Sequence, residues 1–426
     1  MQIHVVQQGQ TLFTIGSIYS TAPQTIADAN QLPNPDRLVQ GQALVIPIVG
    51  RYYFVQPGDS LYSISQQFGI PFQELARINA ISPQQPLAVG WRLYIPPAAK
   101  VPAEFNAYVE PFGNEVTDVL QERTKEAAPY LTYLAPFSFE VKRDGSLEAP
   151  PLDPFLDIAK ANMNILMMVI TNLEEGGFND ELGRIILNDI AVQDKMLDNI
   201  VRLAKQYGFR DIHFDFEYLR PADREAYVTF LKKAKQRFAQ EGWLLSAALA
   251  PKTSANQVGK WYEAHDYKAI GEVVDFVVIM TYEWGYSGGP AQAVSPIGPV
   301  RKVLEYALTE MPADKIMMGQ NLYGYDWTLP FKEGTQAKAI SPQQAIEIAA
   351  TQGVPIQYDE KAQAPFIEYR TNGTDHIIWF EDARSIQAKF DLMRELKLRG
   401  MSYWKLGLPF PQNWLLISDQ FDVVKR

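Results

Sequence analysis

From Asp211 to Tyr218 the chain alternates without a break: Asp211, His213, Asp215 and Glu217 on one side, Ile212, Phe214, Phe216 and Tyr218 on the other. Period two is the signature of a β-strand, so the octet predicts a strand with one ionisable and one apolar face. Further apolar runs predict strands at Phe105–Val109, Tyr130–Phe137, Ile165–Thr171, Leu244–Ala250, Phe276–Thr281, Lys315–Leu322 and Met401–Trp404. Helical spacing of apolar positions intervenes, as over Ala191–Tyr207 and Ala222–Glu241. Eight strands alternating with helices predict an α/β fold, a (β/α)8 TIM barrel, over residues 101–426. The stretch 325–395 is too long for one crossover. Ile356–Tyr358, Pro365–Arg370 and His376–Phe380, with a turn at Asn372-Gly373, read as a small β-rich insertion after the seventh strand that walls one side of a cleft.

Residues 1–97 carry a different pattern, and it occurs twice. Gly9-Gln10-Thr11-Leu12 is repeated as Gly58-Asp59-Ser60-Leu61, Asn30 as Asn79, and Gly41…Leu44-Val45-Ile46-Pro47 as Gly90…Leu93-Tyr94-Ile95-Pro96, each 49 residues apart. Each copy, 2–47 and 51–97, reads strand, helix, helix, strand, with Thr11 or Ser60 placed to cap the first helix. A short Pro-containing linker follows.

Composition narrows the chemistry. The chain has 426 residues, 47% hydrophobic and 21% charged, and no apolar run long enough to span a membrane. Its N-terminus lacks the basic-then-apolar order of a classical signal peptide. There are no cysteines, which excludes disulfides, thiolate nucleophiles and Cys-ligated metals. The four histidines, His4, His213, His265 and His376, show no ligand spacing, so neither a metal nor another cofactor is expected. The net charge is −10, yet residues 1–97 hold four basic and four acidic side chains. With no basic patch, nucleic acid is not an expected partner, and the neutral, Gln- and Asn-rich first part suits an uncharged polar ligand.

The duplicated unit resembles the LysM module, on its V-x-x-G-(Q/D)-(T/S)-L opening, its central Asn and its L-x-x-G-x-x-L-x-I-P close. The resemblance implies two βααβ modules that bind N-acetylglucosamine-containing glycans such as peptidoglycan or chitin. It places glycan contacts at Gly9, Thr11 and Asn30 and at Gly58, Ser60 and Asn79.

The barrel resembles glycoside hydrolase family 18. That family's fourth strand carries D-x-x-D-x-D-x-E; here Asp215 and Glu217 keep the last two acids, while Arg210 and His213 replace the first two. Met280-Thr281-Tyr282-Glu283 after strand six, Gly319-x-x-x-Tyr323-Gly324 after strand seven and Tyr403-Trp404 at strand eight extend the match. The resemblance implies a retaining N-acetylglucosaminidase that uses the substrate's own 2-acetamido group as nucleophile. In it Glu217 is the general acid, Asp215 orients the acetamide and Tyr282 hydrogen-bonds its oxygen. Trp404 floors the scissile sugar, and Tyr323, Glu283 and Asn321 are candidate sugar contacts. His213, two residues from Asp215 on the same face, is expected to hydrogen-bond Asp215 and titrate in the working range, and Asp211 is expected to matter least. Barrel and modules together resemble the spore-cortex fragment-lytic enzymes of spore-forming bacteria. The expected substrate is therefore spore-cortex peptidoglycan, and the expected location the spore. A chitinase and a non-catalytic glycan-binding spore-coat protein are the alternatives.

Overall fold

The computed structural model describes residues 1–113 and 115–426, which divide into two units: residues 1–101 with 411–421, and residues 102–410 with 422–426. In the first unit each repeat is a βααβ module. Gln2–Val5 pairs antiparallel with Ala43–Ile46 around helices Leu12–Tyr19 and Pro23–Ala29. Arg51–Phe54 pairs with Arg92–Ile95 around Leu61–Phe68 and Phe72–Ile78. Thr11 and Ser60 start their helices through reciprocal capping boxes, with Thr14 and Ser63 as partners.

Cores this small are marginal alone. Ile15, Ile26, Leu44 and Ile46 centre one, and Ile64, Leu75, Leu93 and Ile95 the other. The modules brace each other. The Gln2 amide donates to and accepts from the Tyr52 backbone at 3.0 and 2.7 Å, and Arg92 donates to the Ile18 carbonyl at 2.6 Å. Helix Pro411–Gln420 also belongs to this unit: Gln412 donates to Asn30 at 3.3 Å, and Asp419 pairs with the N-terminal amine at 2.6 Å.

The second unit is a closed barrel of eight parallel strands. They are β1 (Val101–Val109), β2 (Tyr133–Pro136), β3 (Ile165–Thr171), β4 (Asp211–Asp215), β5 (Leu244–Leu249), β6 (Phe276–Ile279), β7 (Ile316–Asn321) and β8 (Gly400–Trp404). Each pairs with the next, and β8 returns to β1. Gly400 is needed at that closure, because a Cβ there would lie 1.7 Å from the Glu104 carbonyl oxygen. Outward Phe214 and Phe216 pack on Tyr227, Phe230 and Phe238 of helix Arg224–Ala239, so the apolar face of β4 is spent on its own crossover helix.

The insertion is larger than its three predicted strands. Lys338–Ile340 and Gly324–Leu329 join Thr374–Trp379, Ala364–Thr371 and Gln357–Asp359 in one antiparallel sheet. Positive φ at Asn372 (50°) and Gly373 (79°) forms the predicted turn. The alternation at β4 also stops early. The strand ends at Asp215, and Tyr218 takes φ 53° and is 44% exposed instead of joining the apolar face.

Candidate active site

The ionisable face of β4 points into the barrel. Asp211, His213 and Asp215 are stacked along it, with Asp215 at the C-terminal mouth and Glu217 just beyond, 5% and 8% exposed. Burial opposes charge on both mouth carboxyls. It lifts Asp215 to about 7; Glu217 is held well above the usual range by burial and then by the neighbouring Asp215 charge. Near neutrality the pair therefore holds a proton, with Glu217 the favoured carrier, as a general acid requires. Asp215 Oδ1 is buried without a hydrogen-bond partner, a polar atom left open for a ligand donor.

His213 does not do what its position on the strand face predicts. It lies in register with Ser246 of β5, and its ring bonds Ser246 Oγ (2.8 Å, Nδ1) and Tyr108 Oη (2.9 Å, Nε2), not Asp215. Ser246 donates its own proton to Asp211 at 3.0 and 3.1 Å, so it accepts from His213 Nδ1–H, and Nε2 accepts from Tyr108. Burial pushes the imidazole down to about 3, so it stays neutral in any working range. Asp211, expected to matter least, ends this buried chain and is lifted by burial to about 7.

Tyr282, after β6, is buried at the same mouth and within electrostatic reach of Tyr108, Asp215 and Glu217. Burial raises its hydroxyl pKa and keeps it a donor. Trp404 ends β8 in T-shaped contact with Phe137 and Tyr108, at centroid distances of 4.8 and 5.5 Å. Beside it lies a cavity of about 610 Å³ lined by Trp404, Tyr323, Tyr325, Glu283 and Leu408 among others. Glu283 accepts from the hydroxyls of Tyr323 and, at 2.9 Å, Tyr325, which orients all three at the cavity wall. Asn321 is not presented there. It is fully buried, donates to the Tyr323 carbonyl at 2.7 Å and accepts from Gln320 at 3.0 Å, so it braces the strand end.

In the modules Ser60 lines a groove of about 480 Å³ with Asp59, Tyr62, Phe72 and Leu87. Gly9 and Gly58 stand at open turns with φ 77° and 88°, and Thr11 is spent on its cap. The two asparagines spend their side-chain amides on their own backbone. Asn30 is wholly buried and clamps the helix carbonyl of Ile26 and both backbone groups of Val45, each at 2.8 Å. Asn79 does the same with Leu75 and Tyr94 at 2.6–3.0 Å.

Three residues escaped the sequence reading. The Trp261 indole N–H donates to Glu217 Oε2. Asn172 accepts from the Glu217 N–H at 3.0 Å and donates to its carbonyl at 2.9 Å. His265 Nδ1 accepts the Ala250 N–H, so its Nε2–H donates to the Phe216 carbonyl, both at 2.9 Å. The adjacent aromatics Trp261-Tyr262 in the long segment between β5 and the helix at Tyr267 were the one signal available. Among the described residues no group of three or more His, Asp or Glu side chains is placed to hold a metal ion.

Comparison with known proteins places this geometry. Residues 114–408 match the model for glycosyl hydrolases family 18, and residues 4–47 and 53–96 match the LysM domain. The chain is 62% identical over its whole length to the cortical fragment-lytic enzyme of Bacillus subtilis (strain 168), covering 99% of that protein. It is 50% identical to the Bacillus anthracis protein of the same name, with both chains fully covered. The crystal structure of the Bacillus megaterium QM B1551 spore cortex-lytic enzyme SleL superposes with a TM-score of 0.93 at 57% identity, covering all of this chain and 99% of that one.

Proposed function

The chain belongs to glycosyl hydrolases family 18, with two LysM domains ahead of its barrel, and from that premise we propose that it hydrolyses N-acetylglucosaminyl β-1,4 bonds in spore-cortex peptidoglycan fragments. One observation carries the reaction: a buried carboxyl pair, Asp215 and Glu217, shares the barrel mouth with the Tyr282 hydroxyl. Full-length identity of 62% to a cortical fragment-lytic enzyme supports the choice of substrate, and with it action in the spore. Among the described residues no helix is long and apolar enough to cross a membrane.

The chemistry follows from the groups. Glu217 gives its proton to the glycosidic oxygen as that oxygen leaves C1. The acetamide carbonyl oxygen of the same sugar closes on C1, so no second carboxylate nucleophile is required. Asp215, ionised while Glu217 carries the pair's proton, offsets the positive charge of the cyclic intermediate and takes the acetamide N–H at its vacant Oδ1. Tyr282 donates to the acetamide oxygen. Water then attacks C1, Glu217 takes its proton, and the anomeric configuration is retained. Trp404 offers an indole face to the sugar's C–H face beside the cavity.

Glu217→Gln preserves shape but cannot give a proton. On purified cortical fragments its kcat is expected to fall about 10²–10⁴-fold while glycan binding persists. Mass spectrometry of the products separates this reading from its rivals. Cortical fragments with new N-acetylglucosamine reducing ends support it. Preferential cleavage of chitin oligosaccharides points to a chitinase, and no cleavage of either to a binding protein.

A further inference from the structure

Glu217 lies just past the end of its strand, and a strand end alone does not hold a carboxyl in one orientation. Its backbone is pinned from both sides, by Asn172 at its own N–H and carbonyl and by His265 at the preceding carbonyl. Its side chain has a single protein partner among the described residues, the indole N–H of Trp261 at Oε2. Trp261 is itself fixed. Its ring stacks on Tyr218 at 6.1 Å with an interplanar angle of 12° and packs against Tyr262 at 5.5 Å. The left-handed backbone at Tyr218 turns that ring out of the strand's apolar face and onto the indole. The loop bearing Trp261 is also tied to β4 four residues later, through His265.

We propose that Trp261 is a positioning residue for the general acid, holding one carboxyl oxygen of Glu217 so that the transferable proton sits on the other. This rests on the reading of Glu217 given above. An oxygen that accepts an N–H is disfavoured as the site of the acidic proton, so the proton resides on Oε1. On transfer, the Oε1–H bond breaks and a bond forms to the leaving glycosidic oxygen, while the acetamide oxygen replaces that oxygen at C1. Glu217 becomes a carboxylate, and its bond to the indole becomes charge-assisted and stronger. The interaction thus favours the charge that develops in the transition state over the neutral ground state. In the second step Oε1 takes a proton from the attacking water. Trp261 also lines a cavity of about 310 Å³ with Tyr262, Tyr282, Glu283 and Trp284, so the indole stands between the acid and space open to a bound glycan.

Trp261→Phe keeps a ring against Tyr218 and removes only the N–H. The expected result is a kcat lower by about 10- to 100-fold, the factor for a hydrogen bond to a charged group, with KM within about threefold. The basic limb of the kcat profile should move to higher pH. The indole stabilises the ionised carboxyl and so holds its pKa down; without it the pKa rises, and the acid stays protonated longer. Among the described residues the other titratable groups coupled to Glu217 are Asp215, Tyr108, Tyr218 and Tyr282; all are unchanged in the variant and none of these four is a cation. A fold defect would lower kcat and leave the limb in place, and an unmoved limb overturns the proposal. A second measurement does not depend on the variant's activity. In full-length protein labelled with 15N-tryptophan, the Trp261 indole signal should titrate with pH in the wild type and not in Glu217→Gln. An indole signal that ignores pH in the wild type also overturns it. If Glu217→Gln itself retains activity, the assignment of the acid is at fault; if Glu217→Gln is inactive and the Trp261→Phe limb does not move, the positioning role alone is lost.

Discussion

Asp215 is a site built at a cost to stability. Its carboxyl is buried with one oxygen unpartnered, and its pKa stands at about 7 against an ordinary 3.8. Between those values the folded chain binds more protons than the unfolded one, so this group's contribution to stability is fully present below about 3.8 and is lost as pH rises through about 7. Asn cannot ionise. Asp215→Asn should therefore raise Tm on the order of 3 °C at pH 7.5, with the gain fading toward pH 4, while kcat collapses. Thermal melts at both pH values check this; a gain independent of pH would mean the effect is not ionic. The pH window belongs to the Asp215–Glu217 pair as a unit. His213 teaches the converse. A histidine two residues from Asp215 suggested a titrating partner, and alternation did place it on the same face. Which neighbour it bonds was decided by register with β5 and by the depth of Tyr108 on β1.

Among the elements, the asparagine shared by both modules invited a binding role because the LysM resemblance places it beside the glycan groove. Its amide instead does work that a helix end and a strand cannot do for themselves. It satisfies the Val45 N–H and carbonyl and the Ile26 carbonyl from one buried position. Asn30→Ala strands the two Val45 groups, while the Ile26 carbonyl keeps the backbone N–H of residue 30, and it should destabilise the first module by about 2–4 kcal/mol while sparing the rate on short soluble fragments. Calorimetry that resolves the unfolding of the first unit is the measurement; an unchanged transition would contradict the clamp. A polar side chain in a turn carries the same letter whether it faces a ligand or its own backbone. The extra insertion strands Gly324–Leu329 and Lys338–Ile340 were hidden for a related reason. Gly324 abuts the Trp379 carbonyl, and its strand begins within three residues of the end of β7, so no loop separates the insertion from the barrel there.

On the scale of the whole chain, the first unit is assembled from two stretches far apart in sequence, since helix Pro411–Gln420 docks on the module that begins at residue 1. A chain lacking residues 1–97 loses the partners of Gln412 and Asp419. It should melt lower than the corresponding transition of the full chain, besides losing retention on insoluble wall material through the loss of two linked sites. Calorimetry and wall sedimentation of the two chains test both effects; equal melting would show that the helix does not need the modules.

Periodicity and repeat spacing carried the eight barrel strands, the duplicated βααβ modules and the strand-end positions of Asp215, Glu217, Tyr282, Tyr323 and Trp404, because those signals are local: period two, period 3.6 and a 49-residue repeat. Tertiary structure alone decided who touches whom. Trp261 reaches Glu217 across 44 residues, Asn172 across 45, and Tyr108 reaches His213 across 105. Those contacts are set by barrel closure and register, which bring distant strand ends to one mouth and leave no periodic trace in the chain.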